Sequence, residues 1–181
     1  MNALILLADG FEMVEALTTA DVLTRTHEIK VTLCSISDSL SVSSSHGVKV
    51  EANAKIQDII VNGYDFLVLP GGKLGVENLR ASDKVTALIK AFFDAGKDVH
   101  AICAAPSILG ELGYLDGLDY TCFPGFQKGN GNYLHVGAVE TSHIITGHSM
   151  GFSLDFAKTI VAHYLGQTGL NRILPGIEGH E

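Results

Sequence analysis

The chain is punctuated by short, unbroken runs of Val, Ile, Leu and Ala, each followed by turn residues and then by a helical spacing of apolar side chains. A strand covered on both faces reads as a continuous apolar run, and parallel strands need helical crossovers to join them. Residues 4–8, 29–35, 64–70 and the run leading to Cys103 read as such strands. Residues 11–24 read as the first helix, with Phe11, Val14, Leu17 and Val22 near one face. A small hairpin or loop excursion is expected over 37–46 and 48–52, ahead of 55–60. Ser82 is placed to cap a helix over 83–95 whose Val85, Leu88, Ile89 and Phe92 share one face, and Gly96 is placed to end it. A helix over 105–112, a Gly-rich loop over 124–132, a strand over 139–146 and a helix over 152–165 complete the alternation. The pattern predicts an α/β fold with a mostly parallel sheet and helices on both faces. One domain is expected over residues 1–166, with 167–181 as a loosely attached C-terminal extension.

Composition narrows the function. Hydrophobic residues at 46% and charged residues at 18% describe a compact globular protein with much buried strand. A net charge of −8, from 20 acids against 12 bases, offers no footprint for a phosphate backbone, so nucleic acid is not an expected partner. The apolar N-terminus lacks a basic flank and meets Asp9-Gly10 too soon for a secretion signal. No apolar run approaches the roughly 20 residues of a membrane span. Cys34, Cys103 and Cys122 are an odd set without a CxxC pair, which disfavours a disulfide framework and a zinc site and makes the cytoplasm the expected compartment. The eight histidines form no HExxH or HxH arrangement, and Gly71-Gly72-Lys73 lacks the remaining parts of a P-loop. No metal and no cofactor are expected.

In open α/β sheets the ligand crevice lies beyond the carboxyl ends of the strands. Three chemically loaded turns fall there: residues 9–15, 70–75 and 103–106. Cys103 stands where an apolar strand gives way to a helix, and the free N–H groups of a helix start favour a thiolate. A buried, inert cysteine is the alternative. Glu12 and Glu15 both fall where a first helical turn favours a carboxylate. Glu15 is also placed to point into the crevice, where a carboxylate beside a thiolate would share one proton and bind it more tightly. Pro70-Gly71-Gly72 is either a tight turn or a backbone surface whose N–H groups, with that of Ala104, face an oxyanion beside Cys103.

Gly147-His148-Ser149-Met150-Gly151 matches the GxSxG nucleophile elbow between a strand and a helix. Its triad partners would have to come from Asp155, His163 and His180, two of them on the helix that starts just after the serine. A capping or turn hydroxyl is the reading preferred for Ser149. His100, three residues before Cys103 on the same strand, points to the opposite face.

Taken together, L-L-A-D-G-F-E-M-V-E-A (6–16), D-V-L (21–23), L-V-L-P-G-G-K-L-G-V-E-N-L (67–79), A-I-C-A-A-P (101–106) and I-T-G-H-S-M-G-F-S-L-D-F-A (145–157) resemble the ThiJ/PfpI superfamily. The resemblance is to the branch of the parkinsonism-associated protein deglycase and its bacterial relatives. It implies a flavodoxin-like three-layer sandwich, of the kind shared with class I glutamine amidotransferases, and a homodimer to which the first helix contributes. It also implies that Cys103 is the nucleophile, Glu15 its paired carboxyl, and Gly72 and Ala104, with Gly71 in the same turn, the backbone donors. The activity implied is cysteine-dependent detoxification of small dicarbonyls, methylglyoxal to lactate, of the glutathione-independent glyoxalase or deglycase type. An oxidative-stress sensor or redox-regulated chaperone working through oxidation of Cys103 is the alternative it implies. The peptidase branch carries histidine after the cysteine where this chain has Ala104. Some members supply a second histidine where T-C-F-P here has Phe123.

Overall fold

The computed structural model describes residues 1–179 and shows one seven-stranded sheet between two layers of helices. In chain order the strands and helices are β1 (Asn2–Leu7), α1 (Met13–Arg25), β2 (Lys30–Ser35), β3 (Ser41–Ser43), β4 (Lys49–Glu51), β5 (Ala54–Lys55) and β6 (Phe66–Leu69). They continue with α2 (Lys73–Arg80), α3 (Asp83–Asp94), β7 (Asp98–Ile102), α4 (Pro106–Glu111), β8 (Asp119–Tyr120), β9 (Asn132–Tyr133), β10 (Ala138–Thr141), β11 (Ile144–Gly147) and α5 (Ser153–Glu178). The sheet order is β10-β11-β7-β6-β1-β2-β5, parallel throughout except for β10 against β11. β3 pairs with β4, and β8 with β9, outside the main sheet.

Alternation along the strands divides the core in two. Leu4, Leu6, Leu67 and Leu69 pack with Val76 and Leu79 of α2, Ile89 and Phe92 of α3, and Leu109 of α4. Ala3, Ile5, Leu7 and Val68 face the other way and pack with Ala16 and Leu23 of α1 and Phe156 and Ile160 of α5. Both sheet faces are therefore covered, which is why the central strands carry no exposed polar alternation. The fold is α/β and flavodoxin-like.

Several expectations are revised. The strand expected over 139–146 is a hairpin, because Ser142 takes a positive φ of 49° and turns β10 back as β11. A helix, α2, follows Gly72 where only a turn was expected. Ser82 does cap α3, its Oγ accepting the Val85 N–H at 3.4 Å, and Gly96 follows the helix at φ 67°. Residues 167–178 are not a loose extension. The chain kinks at Gly166 (φ 65°, ψ 178°), resumes as helix, and buries Ile173 in the core cluster that includes α1. Arg25 donates to the Gly176 carbonyl at 3.3 Å, and Arg172 and Lys158 pair with Glu28 and Glu178.

Candidate active site

The parallel strands β1, β6 and β7 end side by side, so the turns that follow them converge. After β7 the backbone at Cys103 takes φ 64°, a left-handed conformation unusual for a residue with a side chain. The Cys103 N–H donates to the Gly147 carbonyl (2.9 Å), and its own carbonyl accepts the Phe123 N–H (2.8 Å). These bonds hold the strained turn in place. Strain of this kind is the mark of a nucleophile elbow. The GxSxG serine lacks it: Ser149 is extended (φ −167°) and its hydroxyl caps nothing, while the Ser153 hydroxyl donates to the Met150 carbonyl instead.

Glu15 enters from the first turn of α1 and is 1% exposed. Its Oε2 accepts the Gly71 N–H at 2.7 Å, whereas Oε1 is buried without a hydrogen bond of ordinary geometry. The polar group alongside the carboxyl is the Cys103 thiol. Gly71 is required by this approach. A Cβ there would lie 2.6 Å from Glu15 Oε2 and 2.7 Å from the Cys103 Cβ. Because the Gly71 N–H is already given to Glu15, it is not free to face an oxyanion; it orients the carboxyl. The N–H groups directed at the Cys103 sulfur are those of Gly72, at φ 90°, and Ala104.

The electrostatics differ from what a helix start alone suggests. Burial, followed by the Glu15 carboxylate, pushes the Cys103 thiol up, and the Ala104 and Gly72 N–H groups pull it partly back. Burial chiefly, with Glu12 adding a little, raises Glu15 from 4.5 to about 7, against the pull of Cys103 and the Gly71 N–H. The pair thus keeps one proton above neutrality, and the sulfur becomes anionic when that proton sits on Glu15. Cys34 is pushed up to about 12 by burial and then by the exposed Asp58, and Cys122 to about 11 by burial; neither has a buried carboxyl beside it. Glu12 serves structure: its carboxylate accepts the Val14 N–H (3.5 Å) and the Ser45 hydroxyl (3.1 Å) at the start of α1.

The thiol opens into a cavity of about 350 Å³. Cys103, Glu15, Gly72 and Ala104 line it around the thiol; Phe123, Phe126 and Met150 give it an apolar wall, with Ser149 and Gly151 flanking Met150; Glu12 and Lys73 stand in its lining with opposite charges. A larger groove, about 700 Å³, lies between the end of α1 and the tail helix and shares no lining residue with the thiol site. Chemistry decides between them, and only the smaller one holds the dyad. Sequence reasoning did not find Phe126 or Met150, nor the brace beneath Ala104. There the buried Ser107 hydroxyl donates to the Ala104 carbonyl (2.6 Å) and accepts from Arg80 Nη2 (2.8 Å), whose Nε pairs with Glu111 (2.7 Å). Arg80 closes α2 and Ser107 opens α4, so this contact ties the end of α2 to the turn that presents the Ala104 N–H to the sulfur.

The described histidines among the candidates are engaged elsewhere. His163 spends both ring nitrogens on Glu140 (2.8 Å) and Asp98 (3.2 Å), so it does not serve Ser149. His180 lies outside the described residues. His100 is fully buried with its Nδ1 accepting the Ile145 N–H (3.1 Å) and its Nε2 on Tyr164 Oη (3.1 Å). The described residues place no group of three or more His, Cys, Asp or Glu in a metal-binding arrangement, and no described helix is long and apolar enough to cross a membrane.

A strained cysteine at the carboxyl end of a parallel sheet, paired with a buried glutamate and faced by two backbone N–H groups, defines a cysteine-centred α/β sandwich protein. Residues 1–163 match the model of the DJ-1/PfpI family, and the chain belongs to that family. It is 34% identical over 167 residues to the protein DJ-1 homolog B of Arabidopsis thaliana, covering 91% of this chain but 38% of that longer protein. It is 31% identical to the Parkinson disease protein 7 homolog of Danio rerio, with 91% and 90% of the two chains covered. Among solved structures, the C103A mutant of the DJ-1 superfamily protein STM1931 from Salmonella typhimurium superposes with a TM-score of 0.92 at 32% identity, over 98% of this chain and 97% of that one.

Proposed function

We propose that the protein is a cysteine-dependent enzyme that converts small 2-oxoaldehydes such as methylglyoxal, free or as early adducts on amino groups, into 2-hydroxy acids. The observation that carries this reading is the contact of the Glu15 carboxyl with the Cys103 thiol below the Gly72 and Ala104 N–H groups. Glu15 takes the thiol proton as the sulfur adds to the aldehyde carbon and passes it to the carbonyl oxygen, now a hemithioacetal hydroxyl, so that Glu15 is a carboxylate again. The Glu15 carboxylate then removes the hydrogen from that carbon and returns it to the neighbouring carbonyl carbon, while the hemithioacetal hydroxyl proton passes to the neighbouring oxygen and the two N–H groups hold the enediolate oxygen in between. The result is a thioester of a 2-hydroxy acid. Water cleaves its S–C bond, so that aldehyde plus water becomes acid with no external oxidant or reductant. A group near pH 7 is matched to both halves of such a proton shuttle.

Purified protein supplied with methylglyoxal should release lactate, and Cys103→Ser should not. Equal slow consumption by both proteins would end the proposal. A second reading rests on the unpartnered Glu15 Oε1: a protonated carboxyl there could donate to a Cys103 sulfinate, as in a redox sensor or redox-regulated chaperone. Peroxide titration with peptide mass analysis separates the two, since a sensor requires Cys103 to oxidise well ahead of Cys34 and Cys122.

We further propose a homodimer through α1 and the start of α5, where Val14, Phe152 and Leu154 are 37%, 38% and 44% exposed. Leu154→Glu should shift the mass measured by light scattering from two chains to one. The three unpaired thiols suit a reducing compartment, the cytoplasm in this reading.

A further inference from the structure

We propose that the preferred substrates are 2-oxoaldehydes whose second substituent is an uncharged aryl or branched-alkyl group, seated on Phe123, Phe126 and Met150. This rests on the reading of the site as a 2-oxoaldehyde enzyme and adds the substrate class.

Three observations carry it. First, the apolar wall is fixed beside the nucleophile: the Phe123 N–H is bonded to the Cys103 carbonyl at 2.8 Å, and the Phe123 ring meets the Phe126 ring edge-on with centroids 6.2 Å apart. Second, that wall is bare. Phe123 and Met150 are 44% and 50% exposed, and in a concavity such surface is what an apolar substituent covers. Third, the cavity, at about 350 Å³, is large for methylglyoxal, whose single methyl group would leave most of the wall wet. The charged residues in the lining, Glu12 and Lys73, are opposite in sign and select no net charge on the substituent. The dicarbonyl end reaches Cys103, Glu15 and the Gly72 and Ala104 N–H groups in the same lining. The reaction is the one already balanced: an arylglyoxal and water give an aryl 2-hydroxy acid.

The test compares kcat/KM for methylglyoxal, isopropylglyoxal and phenylglyoxal, with Cys103→Ser as the blank for spontaneous addition to arginine side chains. A preference of at least about tenfold for phenylglyoxal over methylglyoxal is expected, the scale on which apolar pockets discriminate. Phe123→Ala combined with Met150→Ala should bring that ratio down to near unity. Equal kcat/KM values in the native protein would overturn the proposal, as would a preference that survives the double truncation. A second measurement does not depend on turnover: protection of Cys103 from iodoacetamide by mandelate against protection by lactate. Mandelate should protect at a concentration about tenfold lower. If mandelate protects selectively while no aldehyde is consumed, the enzymatic reading falls and the aryl seat stands. Cys103-dependent consumption with a flat substrate ratio and no selective protection leaves the enzymatic reading standing and removes the aryl seat.

Discussion

Strand β7 runs between two polar sites that are built in opposite ways. At its start Asp98 accepts from the Tyr164 hydroxyl (2.5 Å) and is paired with His143 (2.6 Å) and His163 (3.2 Å). The Ile145 N–H obliges His100 Nδ1 to accept, so Nε2 carries the proton and donates to Tyr164 Oη, whose own proton goes to Asp98. Every donor in this chain has an acceptor, and His100, desolvated by burial, is lowered to about 3 and stays neutral. At the far end Cys103 sits on strained backbone, Glu15 Oε1 has no ordinary hydrogen bond, and the two groups compete for a proton. A satisfied network holds a fold together. An unsatisfied one, kept by its surroundings, retains the free energy that a reaction can use.

The sharpest way to break this contrast is Cys103→Ser, which should lower 2-oxoaldehyde consumption to the uncatalysed background in a coupled lactate assay. Glu15→Gln comes next, with a loss in kcat of about 10²–10⁴-fold for a missing proton shuttle. The same variant separates the two sites by pH. Glu15 is raised from 4.5 to about 7, so the stability it contributes is complete below 4.5 and is lost as the pH rises through 7. His100 is lowered from 6.5 to about 3, so its contribution is complete above 6.5 and is lost as the pH falls toward 3. Urea unfolding should therefore show Glu15→Gln gaining on the native protein between pH 5 and 8, by on the order of 3 kcal/mol at most.

Tyr164→Phe attacks the satisfied end. It should cost about 1–3 kcal/mol by the same unfolding measurement, since it strands partners on both sides, and leave activity per folded molecule unchanged. A large loss of activity would mean that the two ends are coupled and the contrast is too simple. The smallest effect expected is none at all: a fluorophosphonate probe that labels a serine hydrolase should leave Ser149 unlabelled.

What could be read ahead of the structure was local. The run Leu4–Leu7, the Ser82 cap and the strand-to-helix position of Cys103 each follow from neighbours in sequence. Glu15 was legible because its place in the first turn of a helix fixes where its side chain can point. Helix α2 was not, because Gly75 interrupts its apolar spacing; a Cβ there would lie 2.8 Å from the Phe11 backbone, so glycine serves packing rather than helix formation. The Asp98 network was invisible for a different reason. Its bonds join residues 45 to 66 positions apart, and each histidine alone looks like any other. The aromatic wall was half seen: Phe123 stood out only as a departure from what the resemblance implies for some members, and nothing in the sequence linked it to Phe126 or Met150. The resemblance to relatives put Cys103 and Glu15 forward as a pair; the helical tail after Gly166 needed coordinates.

The left-handed turn at position 103 sets folding and chemistry against each other at a single residue. Glycine would adopt that conformation freely, and asparagine nearly so. In a library sorted only for heat resistance, position 103 should drift to those two; in one sorted for turnover it should remain cysteine. The gap between the two populations would measure how much conformational ease the chain forgoes to keep a sulfur there.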